Sequence, residues 1–184
     1  MKFMKSLPFT LHPFYSVSEH APDIRITGRI SRDYQTLAIC YELAGEFAAL
    51  DLPGLAKHPE RRNFLWKETC FELFIKKSDS VGYWEINLSP AGHWNIFRFD
   101  KYRKGMREEM EIAAPTVHVD DKNPGLRKVS TDIHLDGIIT AIQPIRVAVS
   151  AIIKTIAGQI SYWALTHPGP GPDFHHKKGF ILKL

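Results

Sequence analysis

Cysteine is scarce in this chain: Cys40 and Cys70 are the only two among 184 residues, and neither has a partner at C-x-x-C spacing. Two thiols cannot build a disulfide framework, and both stand in apolar runs where a small buried hydrophobe fits. Long hydrophobic runs are missing too. No stretch approaches the roughly 20 residues of a membrane span. Lys2 and Lys5 resemble a charged leader, but Pro8, Thr10, His12 and Pro13 break the run before it reaches the length of a signal core. A cytoplasmic chain is expected, in which the formal acceptor Asn87-Leu88-Ser89 is coincidental.

Charge of one sign is also lacking. Lys and Arg number 24 against 20 Asp and Glu, a net charge of +4 that supports solubility without implying nucleic acid. The basic, aromatic run from Phe97 to Arg107 is followed at once by Glu108, Glu109 and Glu111, and so reads as a salt-bridged surface rather than a strand-binding platform. Neither a nucleic-acid nor a membrane partner is expected. Motifs of nucleophilic catalysis are absent: there is no Gly-x-Ser-x-Gly elbow. The glycines of His167-Pro168-Gly169-Pro170-Gly171-Pro172 do not cradle phosphate, because the interleaved prolines remove the amides such a loop needs. His167, Asp173, His175 and His176 are metal-ligand types, but adjacent His175 and His176 cannot both point at one ion from an extended segment. No cofactor is expected.

Helical periodicity is scarce, and a period of two takes its place. Ile24, Ile26, Gly28 and Ile30 alternate with polar residues, as do Leu37, Ile39, Tyr41 and Leu43. The same holds for Phe71, Leu73 and Ile75, for Trp84, Ile86 and Leu88, for Val129, Thr131, Ile133 and Leu135, and for Val147, Val149, Ala151 and Ile153; Tyr162 and Ala164 close the series. Ser31-Arg32-Asp33, Ser78 to Gly82, Ser89 to Gly92 and Ala157-Gly158-Gln159 punctuate the runs. Such alternation with frequent turns predicts an all-β antiparallel sandwich of about ten to twelve strands with at most one or two short helices. Residues 51 to 64 read as a loop, and 101 to 113 as a short surface helix or a long loop. With no repeat or linker, residues 1–184 are expected to form one ligand-binding domain.

Three segments carry residues that a plain sandwich does not require. With Phe71, Leu73 and Ile75 facing the core, Glu72 shares the opposite face with Cys70 and Phe74, either as a surface glutamate or as an acceptor lining a cleft. With Trp84, Ile86 and Leu88 facing the core, Tyr83, Glu85, Asn87 and Ser89 form a hydrogen-bonding stripe flanked by aromatics. Sugar sites combine such groups, rings stacking on the sugar face while carboxylates and amides take the hydroxyls. The third segment is Trp163 to His176, a rigid proline-glycine loop behind a tryptophan. Glu68, Glu72 and Glu85 also permit a glycosidase-type acid and base pair, and an exposed sheet edge permits a protein-interaction module.

The runs Leu65-Trp66 with Thr69 to Phe74, Tyr83 to Gly92, Trp94 with Phe99 to Arg103, and the closing Asp173-Phe174-His175-His176 with Gly179-Phe180 resemble the bacterial DOMON-like family, which is grouped with type 9 carbohydrate-binding modules. The resemblance spans roughly residues 5 to 184. It implies a β-sandwich with a ligand site on one sheet face, in which a sugar lies between two tryptophans beside a glutamate and an arginine. It places Trp66 and Glu72 as the first tryptophan and the glutamate, Trp163 as the second tryptophan and Arg98 as the arginine. The calcium-binding carboxylates of type 9 modules have no clear match, and no methionine and histidine pair is placed for the heme that some DOMON domains bind. The expected function is non-catalytic binding of a small, sugar-like ligand by Trp66, Glu72, Glu85, Asn87, Arg98 and Trp163. The alternative is a sugar-acting enzyme using Glu72 and Glu85.

Overall fold

A computed structural model describes residues 6–14 and 22–184; the leader-like Lys2 and Lys5 lie outside these. Among the described residues twelve strands run in chain order: β1 (Ser6–Pro13), β2 (Ile24–Asp33), β3 (Thr36–Gly45), β4 (Cys70–Lys77), β5 (Tyr83–Leu88), β6 (Trp94–Phe99), β7 (Arg107–Glu108), β8 (His118–Asn123), β9 (Leu126–His134), β10 (Ile145–Lys154), β11 (Ile160–Ala164) and β12 (Leu182–Lys183). Among the described residues the only helical pieces are two 3-10 turns, Leu65–Lys67 and Lys177–Gly179. Every strand pairing is antiparallel.

One sheet has the order β1-β2-β3-β9-β8 and the other β7-β6-β5-β4-β10-β11, with β12 beside β10. β1 belongs to both. Ser6 to Leu11 pair with β2, and His12 and Pro13 pair with β11. The all-β sandwich expected from the two-residue period is the observed fold.

The core between the sheets collects the alternating sets: Ile26 and Ile30, Leu37 and Tyr41, Phe71, Leu73 and Ile75, Trp84, Ile86 and Leu88, and Val147, Val149 and Ala151. One segment departs from the sequence reading, and one resolves between the alternatives it left. The turn between β2 and β3 falls at Tyr34-Gln35, with Tyr34 left-handed at φ 51°, while Ser31 to Asp33 stay in the ladder. Residues 101 to 113 hold no helix; they form a tight turn, the two-residue β7 and a loop. The span 51 to 64 is largely irregular, as expected.

Gly28 is required by close approach. A Cβ there would meet the Cys40 carbonyl oxygen and the ring of Phe9, which packs edge-on against Tyr41 at 5.5 Å. The carbonyl sits in the neighbouring strand, so no rotamer change relieves the clash. Gly28→Ala is expected to cost about 2 kcal/mol or more in urea denaturation. A loss near zero would show that β2 and β3 can separate locally without penalty.

β4, β5 and most of β10 are buried on both faces. Their outer face carries a second apolar cluster of Phe74, Tyr83, Phe97, Phe99, Ala148 and Phe180, with Trp66 and Phe174 packed against it. The 3-10 turn at Leu65–Lys67, the turn after β6 and the segment after β11 therefore cover this sheet. The gap between these covers is the cleft described next.

Candidate functional site

The cleft has a volume of about 440 Å³. Its floor is the outer face of the second sheet. Strand register fixes which side chains share that face, because residues paired across a ladder project to the same side. Glu72 pairs with Asn87 on one side and Ser150 on the other, Phe74 pairs with Glu85, and Ile152 pairs with Tyr162. Glu72, Glu85, Ile152 and Tyr162 line the floor together with Phe99. Trp66 stands at one wall, Arg103 and Met106 at a second, and Pro172, Phe174 and His175 at a third.

The walls are held by a polar clamp. Asp173 accepts hydrogen bonds from Tyr102 Oη at 2.8 Å, Arg103 Nη2 at 2.9 Å and the His175 amide at 3.2 Å. Tyr83 Oη lies 2.7 Å from His175 Nδ1 and accepts from the Arg103 amide at 3.1 Å. Arg103 adopts a left-handed φ of 51° in the tight turn after β6, which turns its amide toward Tyr83. Tyr83 also stacks on Phe99 with centroids 4.8 Å apart. Trp66 is fixed edge-on between Phe64 and Phe97, each at 5.5 Å.

The floor is electrostatically strained. Glu72 is 3% exposed and Glu85 is 5% exposed. Burial, reinforced by the neighbouring Glu85, raises the Glu72 carboxyl well above the usual carboxylate range, and Arg103 offsets only part of this. Burial lifts Glu85 to about 7, while the hydrogen bond from Asn87 and the charge of Arg103 hold it back. Asn87 Nδ2 donates to Glu85 Oε1 at 2.8 Å. Burial, with Arg103 nearby, pushes His175 down to about 4. The imidazole is thus neutral near pH 7, and its 3.8 Å approach to Glu85 Oε2 is not an ion pair there. Ser150 leans on the Glu72 carboxyl and restrains its rise slightly, but Ser150 Oγ makes no hydrogen bond of regular geometry.

Of the residues expected at the site, the structure brings Trp66, Glu72 and Glu85 into one cleft. Asn87 lies on the same face but fully buried beneath the carboxyls, as a support for Glu85. Two placements are corrected. Trp163 is 3% exposed inside the sandwich core, because it pairs with the inward-facing Ala151 while Tyr162, one residue earlier, pairs with the outward-facing Ile152. Tyr162 and Ala164 thus continue the outer face, not the core-facing series. Arg98 pairs with Trp84, on the face opposite Glu85, and its guanidinium lies 5.7 Å from the Trp84 ring centre. The guanidinium at the cleft is that of Arg103.

Glu68 reaches Lys154 at the surface at 2.5 Å and stands apart from the carboxyl pair. Among the described residues no three histidine, cysteine, aspartate or glutamate side chains are grouped to hold a metal ion. His176 Nδ1 instead accepts from the Lys178 amide at the last 3-10 turn, and His167 Nε2 lies 2.8 Å from the carbonyl of His12. Sequence reasoning missed Tyr162, Arg103 and Phe174. The pairing of β10 with β11 identifies the first, but the other two depend on contacts between distant segments.

No family model matches the chain, and no curated protein matches it. Solved structures are similar to the chain. A "putative carbohydrate-binding protein" from Bacteroides uniformis ATCC 8492 superposes with a TM-score of 0.67 at 10% identity, covering 96% of this chain and 84% of that one. A family 9 carbohydrate binding module from Caldicellulosiruptor kristjanssonii, in complex with glucose, superposes with a TM-score of 0.48 at 9% identity, covering 82% of this chain and 71% of that one.

Proposed function

We propose that this chain is a binding module for a small polar ligand of carbohydrate type, held in the cleft and released unchanged. The observation that carries the reading is the make-up of the cleft: Trp66, Tyr162 and Phe174 arrive from three separate segments around two buried carboxyls on one floor. Aromatic faces bury the apolar face of a sugar ring, and carboxyls take its hydroxyls. A protonated carboxyl suits this role because it both donates and accepts. Burial favours that form at Glu72. The Bacteroides uniformis fold neighbour, in the words quoted above, points the same way, and kinship with the DOMON-like family belongs to this reading.

A sugar-acting enzyme is the weaker account. Glycoside hydrolysis places an acid and a second carboxylate on either side of the scissile bond. Here both carboxyls rise from adjacent strands of the same floor, with aromatic side chains among the walls.

Thermal shift of the purified protein against mono- and disaccharides tests the proposal, because ligand bound to the native state must raise Tm. At least one sugar is expected to raise it, with no turnover of chromogenic glycosides. Trp66→Ala and Tyr162→Ala are each expected to weaken that binding about tenfold or more, with Tm changed little. Absence of any sugar-induced shift, or glycoside cleavage that Glu72→Gln abolishes, would overturn it.

A further inference from the structure

Among the described residues, the floor of the cleft holds two carboxyls and no cation paired to either. Among the described residues, the Glu72 carboxyl has only the neutral Ser150 hydroxyl beside it, in irregular geometry, although the side chain is almost wholly buried and borders the cleft. Glu85 has only the neutral amide of Asn87. The single guanidinium among the lining residues, Arg103, is committed to Asp173 at 2.9 Å. Buried carboxylates are ordinarily paired, and an unpaired one is costly. Trp66, Phe99, Tyr162 and Phe174 add aromatic surface to the lining, and aromatic faces attract cations.

From this we infer that the ligand carries a protonated amine, which sits over Glu72 and Glu85 while its ring packs against Trp66 and Tyr162. The inference rests on the binding reading above and names its ligand class: an amino sugar or a similar polyhydroxylated amine, rather than a neutral sugar. The ammonium supplies the missing countercharge. Its arrival lets the floor ionise, so binding releases protons at near-neutral pH. The titratable and charged groups facing the pair are Cys70 from β4, Tyr83 from β5, Arg103 from the turn after β6, and Asp173 and His175 from the C-terminal segment, while Tyr41, on the core side, donates to the Glu72 main-chain carbonyl. Tyr41, Cys70 and Tyr83 are all raised by burial and stay neutral in this range, and His175 is already neutral. The carboxyls are therefore the groups that change charge.

Titration calorimetry with glucosamine and galactosamine, each against glucose and galactose, decides the matter when run at about pH 5 and pH 6.5, where both amines are protonated, in two buffers of different ionisation enthalpy. At least one amine is expected to bind ten times or more tightly than its neutral counterpart at the higher pH, with proton release seen as a buffer-dependent heat. The margin should narrow at the lower pH, and Glu72→Gln should remove most of it. Neutral sugars binding as tightly as the amines would overturn the amine inference and leave the sugar-binding reading standing. Amine binding without proton release and undiminished in Glu72→Gln would place the ammonium elsewhere and overturn it also. No binding of either class would overturn both.

Discussion

Glu85→Gln is expected to gain on the wild-type protein as the pH rises. Between about pH 5 and about pH 8 the difference in unfolding free energy should move in the variant's favour by on the order of 2 to 3 kcal/mol. The sign follows from the direction of the shift. Burial lifts the Glu85 carboxyl from an ordinary value of 4.5 to about 7, so the native state holds its proton more tightly than the unfolded chain does. Stability from this group is fully present below the unfolded value and is lost as the pH rises through the folded one. Glutamine is close in shape, can still accept from Asn87 and cannot ionise, so the variant escapes the loss. Glu72→Gln should behave in the same sense, since Glu72 is raised by the same burial and by Glu85 itself.

The wild-type profile alone would hide this effect. His175 is pushed down from 6.5 to about 4, so its contribution is present above the unfolded value and lost as the pH falls toward the folded one. Its slope opposes that of Glu85 across the same window and cancels in the comparison of variant with wild type. Urea denaturation of both proteins at several pH values measures the difference directly. A constant difference would mean that Glu85 is already ionised in the folded protein.

The second large effect separates two adjacent aromatics. Trp163→Ala is expected to cost about 3 to 5 kcal/mol of stability, because the ring is buried in the sandwich core and its removal leaves a cavity that the two sheets cannot close. The Trp163 indole also donates to Ser161 Oγ at 3.0 Å, a bond lost with it. Ligand affinity of the folded fraction should be unchanged, in contrast to Tyr162→Ala. Paired measurements of urea midpoint and affinity on the two variants distinguish the roles. Equal affinity losses with little destabilisation of Trp163→Ala would place the tryptophan at the cleft instead.

The contrast shows where sequence periodicity is informative. In β4 a glutamate between Phe71 and Leu73 declares its own phase: the carboxyl cannot sit in the sandwich core, so it faces the other way. The same logic places Glu85 between Trp84 and Ile86. In β11 the adjacent residues are Tyr162 and Trp163, both aromatic, and both faces of the sheet are largely covered. Nothing in their polarity chooses the inward one; the register with Ala151 and Ile152 does. Arg98 and Arg103 pose a related problem. The resemblance pointed to an arginine in β6, but that strand turns Arg98 away from the carboxyls, and the cleft's guanidinium comes from a left-handed turn secured by Asp173 far along the chain. The irregular 51–64 span was legible because proline and glycine leave little alternative, whereas the cover formed by Pro172, Phe174 and His175 depends on where the last segment folds back.

Strand β1 has a consequence for how the molecule comes into being. Its first six residues zip onto a near neighbour in sequence, and its last two join the distant β11, His12 opposite Ala164. The meander β1-β2-β3 can form as soon as it leaves the ribosome, but the seam that locks one sheet to the other waits until β11 has been synthesised. Such non-local closure makes folding slow, and it leaves apolar faces in need of protection while translation is under way.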